Sequence, residues 1–547
     1  SELTSESDKD APNGSNIYIV EVNLLLDRNW ELFVSYVAFK VDTIREVITD
    51  LESYVEMGDQ QLTNGECGGT KVLTMETVNP NVVKMEYAVR GPIVTRATEL
   101  EKELAEGKAK PFETVVKANI GDCHATGQTP ITFIRQVVAL CTYPQLMQSS
   151  MFPEDAKQKA KRILAACNGY SVGSYSASPG IEVIQKDVAA YISRRDGQPC
   201  NYSNIFLCTG ASEGIKTILK MLMTGKSGSE RAGIMIPVPQ YPLYSATLTE
   251  YNAYPIHYYL DEEKGWSLEV SELNRALTDA KGKCIPRAIC IINPGNPTGQ
   301  VLSRDNIENI IRFAHKEGLV LLADEVYQHN IYAKGSEFFS FKKVLMEMGP
   351  PCSWIELASF MSASKGFMGE CGFRGGYCEM VNFQDDVQKC LLKSISAKLC
   401  PPILGQIVMD VVTNPPQEGD PSYAIFQEEK NTVLKLLAEK ARLITDLFNS
   451  IEGISCNEVQ GAMYAFPRIY LPDKVIVAAR NLNQTPDFFY CSHLLEETGI
   501  CTVPGSGFGQ KEGTYHFRIT ILPPLEEIVR VMGLFRDFHL RFLNKYK

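Results

Sequence analysis

The sequence predicts an α/β fold: a mostly parallel sheet covered by helices on both faces, followed by a second, smaller α+β domain. Three observations carry that expectation. Between about residues 204 and 380, short, continuously apolar runs alternate with amphipathic helical patterns, as a parallel sheet buried on both faces requires. Beyond about residue 396 the pattern changes to longer helical stretches and then to alternating segments. At 547 residues, 44% hydrophobic and 22% charged, the chain is long enough for two or three domains, which excludes a single small module.

Taken in order, "SELTSESDKDAPNGS" is polar and acidic, "IYIVEVNLLL" is an apolar patch, and "MGDQQLTNGECGGTK" reads as a Gly-rich linker. Residues 1–71 are therefore expected to be an N-terminal extension, disordered or marginally structured. Residues 72–130 read as an arm and the start of the small domain, 131–395 as the large domain, and 396–547 as the small C-terminal domain. Strands are predicted at 204–209, 233–237, 287–293, 318–324, 353–359 and 374–380, with helices at 213–223, 241–251 and 304–318. "EEKNTVLKLLAEKARLITDLFNSI" predicts a long helix. "GAMYAFPRIY" and "TYHFRITIL" alternate as strands do, and an amphipathic helix closes the chain from about Leu525. No internal repeat is visible.

Bulk properties narrow the function. A formal net charge of −11 lacks the basic face that nucleic acid or an anionic membrane demands, so neither is expected as a partner. Sixteen cysteines, scattered from Cys67 to Cys501 without a C-x-x-C pair, read as reduced thiols in an intracellular protein. Seven histidines without an H-E-x-x-H spacing supply no obvious metal ligands, and no metal is expected. No apolar run approaches the roughly 18 residues of a membrane span, and the N-terminal segment is not the Arg-rich, acid-poor stretch of a mitochondrial presequence. The chain is expected in the cytoplasm, with the mitochondrial matrix as the alternative.

In an open α/β sheet the ligand sits beyond the carboxyl ends of the strands, so the residues following each strand carry the functional signal. After the first strand "TGASEGI" opens a helix, whose free N–H groups at Ala211 and Ser212 suit a phosphate; taken alone, it reads first as a capping turn. "KMLMTGKS" resembles a Walker loop, but Lys220 occupies the position of its first glycine. In "NPGNPTGQ" Pro and Gly force a turn, which either projects the Asn296 amide or is only a loop. Asp324 ends an apolar strand, where an unpaired carboxylate is costly, so it needs a cationic partner or solvent. "SASKGFMGECGFRGG" sets Lys365 between Ser362 and Ser364 and adds Arg374 after a Gly-rich loop. Asn296, Asp324, Tyr327, Ser362, Ser364, Lys365 and Arg374 together suit one ligand with a phosphate, a protonatable ring nitrogen and a phenolic oxygen. Pyridoxal 5'-phosphate carries all three.

From about Val72 to the C-terminus the sequence resembles the alanine aminotransferases, pyridoxal-phosphate enzymes of fold type I. "ASPGIEVIQKDVAAYISRRDG", "PVPQYPLYSA", "CIINPGNPTGQV", "LLADEVYQ", "SKGFMGECGFRGGY", "QGAMYAFPRIY" and "VPGSGFGQKEGTYHFRITILPP" carry the resemblance. It implies an L-alanine:2-oxoglutarate aminotransferase working by a ping-pong cycle through pyridoxamine phosphate, with pyruvate and L-glutamate as products. It implies that Lys365 joins covalently to the cofactor and acts as base and acid. Burial close to Arg374 is expected to disfavour its charged form. By the same resemblance Asp324 pairs with the ring nitrogen, Tyr327 and Asn296 bind the phenolic oxygen, and Tyr241 stacks on the ring, although an aromatic there also reads as core. Arg374, Ser362, Ser364, Ala211 and Ser212 would cradle the phosphate. Tyr175, in "GSYSAS", would reach it from a neighbouring subunit, implying a homodimer. Arg518 would grip the substrate α-carboxylate, with Gly121 and Asn296 beside it.

Two positions depart from the pattern, which resembles "HSTSK" where this chain reads "MSASK": Met361 and Ala363 each lose a polar group. No residue stands out as the ligand of a second carboxylate. Two alternatives remain open: another pyridoxal-phosphate aminotransferase or lyase on the same frame, and a non-catalytic regulator that keeps the fold as a ligand sensor.

Overall fold

A seven-stranded sheet organises the molecule: β1 (Ile205–Thr209), β2 (Ala232–Val238), β3 (Tyr254–Tyr259), β4 (Ile285–Ile292), β5 (Val320–Asp324), β6 (Leu357–Ser362) and β7 (Gly375–Val381). The computed structural model describes residues 71–547, so the expectation for the N-terminal extension falls, but for Lys71, outside the described residues. The spatial order is β1-β7-β6-β5-β4-β2-β3. β7 runs antiparallel to both of its neighbours and the remaining pairs are parallel. The sheet is thus mostly parallel, as expected. Every residue of β2, β6 and β7 is buried, which accounts for their continuous apolar reading.

β3 is absent from the sequence reading. It lies at the sheet edge and its burial alternates from Ile256 to Tyr259, so "YPIHYY" lacks the continuous apolar run that marks its neighbours.

Helices cover both faces. Helix α1 (Ala211–Leu222) follows β1 directly, and α2 (Arg304–Glu317) is delimited by its own residues. The Ser303 side chain accepts the Asn306 N–H at 3.2 Å, Asp305 lies in the first turn, His315 and Lys316 lie in the last, and Gly318 closes the helix at φ +65°. Helix α3 (Ile403–Thr413), almost entirely buried, packs on β7 and on the helix Glu182–Asp196.

Beyond α3 come the long α4 (Tyr423–Asn449), a three-stranded antiparallel sheet and the terminal α5 (Leu525–Lys545). The small sheet comprises β8 (Tyr464–Ala465), β9 (Val503–Pro504) and β10 (Phe517–Thr520), with β10 central. Val116–Lys117 pairs in parallel with Ile500–Cys501, which ties the preceding arm to this layer. One apolar core runs from the face of the large sheet into the small one: Ile292, Phe360 and Tyr327 belong to the same cluster as Tyr464, Phe517 and Phe535. Asn79–Lys547 form a single compact unit.

Candidate active site

A cavity of about 390 Å³ opens beyond the carboxyl ends of the large sheet, where it meets the small one. Ala211 and Ser212 follow β1, Tyr241 follows β2, Asn296 follows β4, Asp324 ends β5, and Ser362, Ser364 and Lys365 end or follow β6. Arg374 precedes β7. Because β7 runs antiparallel, its first residue lies at the same sheet edge as the last residues of the others, which brings Arg374 into the group. β10 supplies Arg518 from the opposite wall, and Gly121 enters on the arm.

Arg374 occupies the left-handed region at φ +57°, unusual for a residue with a side chain. Its Nη1 donates to the Cys371 carbonyl at 3.0 Å and its Nη2 to the Thr209 carbonyl at 3.3 Å. Gly210 stands where α1 begins, at φ +71°, and a Cβ there would meet Arg374 Nη2 at 2.5 Å. Glycine therefore lets the guanidinium lie against the first turn of α1, whose N–H groups have no intrahelical partners. Ser362 Oγ donates to the Gly375 carbonyl at 3.3 Å and accepts the Ser364 N–H at 3.1 Å. Guanidinium, hydroxyls and helix N-terminus together form a concave cluster of donors suited to an anion.

Asp324 is 4% exposed. Tyr244 Oη donates to its Oδ2 at 3.0 Å, while Oδ1 is buried without a partner among the described residues. Burial raises its pKa to about 6, against the opposing pull of the Tyr244 hydroxyl, the Val326 backbone N–H and Lys365.

Lys365 Nζ donates to the Gly121 carbonyl at 2.8 Å. The expectation that its charged form is disfavoured is not met. Burial pushes the ammonium down, but Tyr464 and the thiols of Cys371 and Cys123 outweigh it and leave the pKa above its ordinary value; the opposing cation is Arg518 rather than Arg374. Tyr464 responds in the other sense. Burial raises its phenol, yet Lys365 and Arg518 bring it below its ordinary value.

Arg518 is 1% exposed. Its Nη1 donates to Asn296 Oδ1 at 3.1 Å and its Nη2 to the Asn119 carbonyl at 2.7 Å, while Nε has no partner among the described residues. The guanidinium carbon lies 4.0 Å from the centre of the Tyr464 ring and 4.8 Å from that of Phe508. A Cβ on Gly121 would come within 1.9 Å of Tyr464 Oη and 3.2 Å of Lys365 Nζ, so only glycine lets its carbonyl reach the lysine.

The region 135–532 matches the family model for aminotransferase class I and II. Alanine aminotransferase 2 of Xenopus tropicalis is 59% identical over 485 residues, covering 88% of this chain and 92% of that protein. Alanine aminotransferase 1 of Homo sapiens is 59% identical over 478 residues, 87% of this chain and 96% of that protein. The chain belongs to the class I and II aminotransferases. An alanine aminotransferase from Pyrococcus furiosus has a similar fold, with a TM-score of 0.66 at 23% identity over 85% of this chain and 99% of that one.

In this aminotransferase all the residues singled out from the sequence line the one cavity except Tyr175. That side chain is 69% exposed and lines a separate surface groove. Tyr241 lines the cavity and shares a 2.7 Å hydroxyl contact with Tyr87. The two departures point elsewhere. Met361 and Ala363 are buried among Phe367, Met368 and Ile407, and neither lines the cavity. Sequence reasoning missed Tyr244, Tyr464, Tyr87, Cys371 and Arg90. Tyr244 lies in the first turn of the helix Leu243–Glu250, within the quoted "PVPQYPLYSA", and only the fold brings it to Asp324. Tyr464 sits in "GAMYAF", a segment read as a strand and as part of the resemblance but not as a source of site residues.

Proposed function

We propose that this aminotransferase exchanges an amino group between L-alanine and 2-oxoglutarate, giving pyruvate and L-glutamate in a ping-pong cycle, with pyridoxal 5'-phosphate as its cofactor. The observation that carries the reading is the unpartnered Asp324 Oδ1, buried at a strand end in the same cavity as Lys365, Arg374 and Arg518. A buried carboxylate oxygen without a donor fits a ligand that brings an N–H there, and a protonated pyridine nitrogen is such a donor. The relatives named alanine aminotransferase, at 59% identity over most of the chain, support the substrate pair.

When bound, pyridoxal phosphate supplies an electron-withdrawing ring and a carbonyl carbon that exchanges the amino group. The chain's residues divide the remaining work. Asp324 accepts the ring N–H and keeps the ring cationic, and Tyr244 holds the carboxylate in place. Arg374, Ser362, Ser364 and the N–H groups at Ala211 and Ser212 hold the phosphate. Tyr327 and Asn296, which line the cavity, would bind the phenolic oxygen, and Tyr241 would stack on the ring. Lys365 carries the cofactor and moves the proton at the substrate α-carbon. Arg518 binds the α-carboxylate through its planar fork, with Asn296 and the Gly121 backbone beside it.

In this reading residues 131–395 carry the cofactor, and 396–547 bring Arg518 and Tyr464 to it. Tyr175 serves the phosphate of a second copy of the chain, and its exposure on a surface loop supports a homodimer with composite sites. The fifteen cysteines among the described residues are free thiols, which supports a reducing compartment; we take it to be the cytoplasm, with the mitochondrial matrix as the alternative. The test is pyruvate formation from L-alanine by purified enzyme, with the cofactor's absorbance followed as alanine and then 2-oxoglutarate are added. The reading requires a spectral change with alanine alone, reversed by 2-oxoglutarate. A spectrum indifferent to alanine would overturn it.

A further inference from the structure

An enzyme that accepts both alanine and a five-carbon dicarboxylate must hold a second carboxylate in one half-reaction and a methyl group in the other. Arg518 serves the carboxylate that both substrates share, and Arg374 lies in the anion cradle at the start of α1. One further arginine lines the cavity: Arg90, the last residue of the short helical turn Ala88–Arg90. Its side chain is exposed and enters no ion pair or side-chain hydrogen bond among the described residues. Of the two acids on the cavity wall, Asp324 accepts from Tyr244 and Asp122 is turned to its own loop, with Oδ1 accepting the Ala125 N–H at 3.1 Å.

The backbone that carries Arg90 is firmly seated. Ala88 and Val89 pack against the cluster of Trp266, Phe466, Val503 and Phe508, and a Cβ on Gly507 would come within 2.3 Å of Ala88 Cβ. Tyr87 Oη meets Tyr241 Oη at 2.7 Å across the cavity wall. Phe508 is also the ring beneath Arg518, so one aromatic cluster fixes the places of both arginines. Arg90 therefore has an anchored backbone and a guanidinium that pairs with no side chain among the described residues.

We propose that Arg90 is the specificity-determining residue for the dicarboxylate substrates, pairing with the distal carboxylate of 2-oxoglutarate and L-glutamate. The proposal rests on the substrate reading above. Its exposure explains how one site serves both substrates. A buried, unpaired cation would penalise alanine severely, whereas an exposed arginine returns to water at little cost when the substrate side chain is a methyl group. For the dicarboxylates the planar fork adds a charge-assisted pair on the partly enclosed wall.

The experiment compares wild-type holoenzyme with Arg90→Met and Arg90→Lys. In a ping-pong enzyme kcat/KM for each substrate reports its own half-reaction. Arg90→Met should lower kcat/KM for glutamate and 2-oxoglutarate by about 10- to 100-fold and change alanine and pyruvate by less than about 2-fold, the range for losing a hydrogen bond to a charged group. Arg90→Lys should restore part of the loss. Competitive inhibition adds a readout that involves no turnover. Glutarate, a five-carbon dicarboxylate, should weaken by the same factor in Arg90→Met, while propionate should not. If the enzyme proves inactive toward alanine, the substrate reading fails, yet the difference between glutarate and propionate still reads Arg90 directly. Equal losses for all four substrates, or unchanged glutarate inhibition, would overturn the assignment.

Discussion

Tyr244 Oη donates to Asp324 Oδ2 at 3.0 Å, and this bond leaves the other carboxylate oxygen buried and unmatched inside the cavity. The pairing sets a pH dependence whose sign can be worked out. In the ligand-free chain burial raises the Asp324 pKa from 3.8 to about 6. A carboxyl group with a raised folded pKa contributes stability that is fully present below about pH 4 and is lost as pH rises through about 6. Asp324→Asn removes this dependence. Between pH 4 and pH 7 the ligand-free variant should gain about 3 kcal/mol relative to wild type, from roughly two pKa units, while holoenzyme kcat falls by about 10²- to 10³-fold. Denaturant unfolding of both proteins across that range measures the gain, and a stability difference independent of pH would refute it. Tyr244→Phe deletes a bond that lowers the Asp324 pKa, so the same transition should move upward.

Lys365, partly buried in the cavity wall, points its amine at the Gly121 carbonyl. Lys365→Ala should abolish transamination in a protein that still folds and still takes up the cofactor by its phosphate and ring contacts. Borohydride treatment of wild type should fix the cofactor on the peptide that contains Lys365. A label on any other lysine would show that the amine at β6 is not the attachment point.

Legibility followed the chain's own geometry. Asn296, Asp324, Lys365 and Arg374 all sit at or just beyond strand ends, and strand ends are found from apolar runs, so their convergence was readable once the sheet was. Arg374 required one thing more, the reversal of β7, which an apolar run does not encode. β3 was lost because an edge strand need not be apolar on both faces. Tyr464 and Arg90 reach the cavity from outside the large sheet, Tyr464 against Tyr327 and Arg518 and the turn before Arg90 through packing on Phe508 and its neighbours, and no local pattern signals that meeting. The charge of Lys365 was misread for the same reason: the group that counters its burial, Tyr464, lies 99 residues further along.

Tyr175 stands apart from the cavity of its own chain, with 69% of its surface exposed. If it completes the site of a second copy, Lys365→Ala and Tyr175→Phe are defects in different sites of a mixed dimer. One of the two sites in each hybrid is then free of both changes. Mixing the two inactive or weakened variants under conditions that allow subunit exchange should restore part of the wild-type rate. No recovery despite proven exchange, or a wild-type enzyme that is active as a monomer, would remove Tyr175 from the site.

Arg518 separates a shared function from a selective one. Its guanidinium donates to Asn296 Oδ1 and the Asn119 carbonyl and lies against the rings of Tyr464 and Phe508, contacts that restrict its orientation. A planar fork so fixed matches a carboxylate with parallel hydrogen bonds, and a lysine ammonium at the end of a flexible stem does not. Alanine, pyruvate, glutamate and 2-oxoglutarate all present an α-carboxylate, so Arg518→Lys should lower kcat/KM for the four together, by about 2 to 5 kcal/mol for a desolvated pair. The cofactor's absorbance should hardly change, because Arg518 lies on β10 and not in the cradle at Arg374. An arginine that merely tied strands together would cost stability and leave the substrate profile flat at near wild-type values. Measuring all four kcat/KM values beside the melting temperature distinguishes these outcomes: a loss confined to the dicarboxylates would transfer the shared role away from Arg518, and a uniform loss with an unchanged spectrum would place it there.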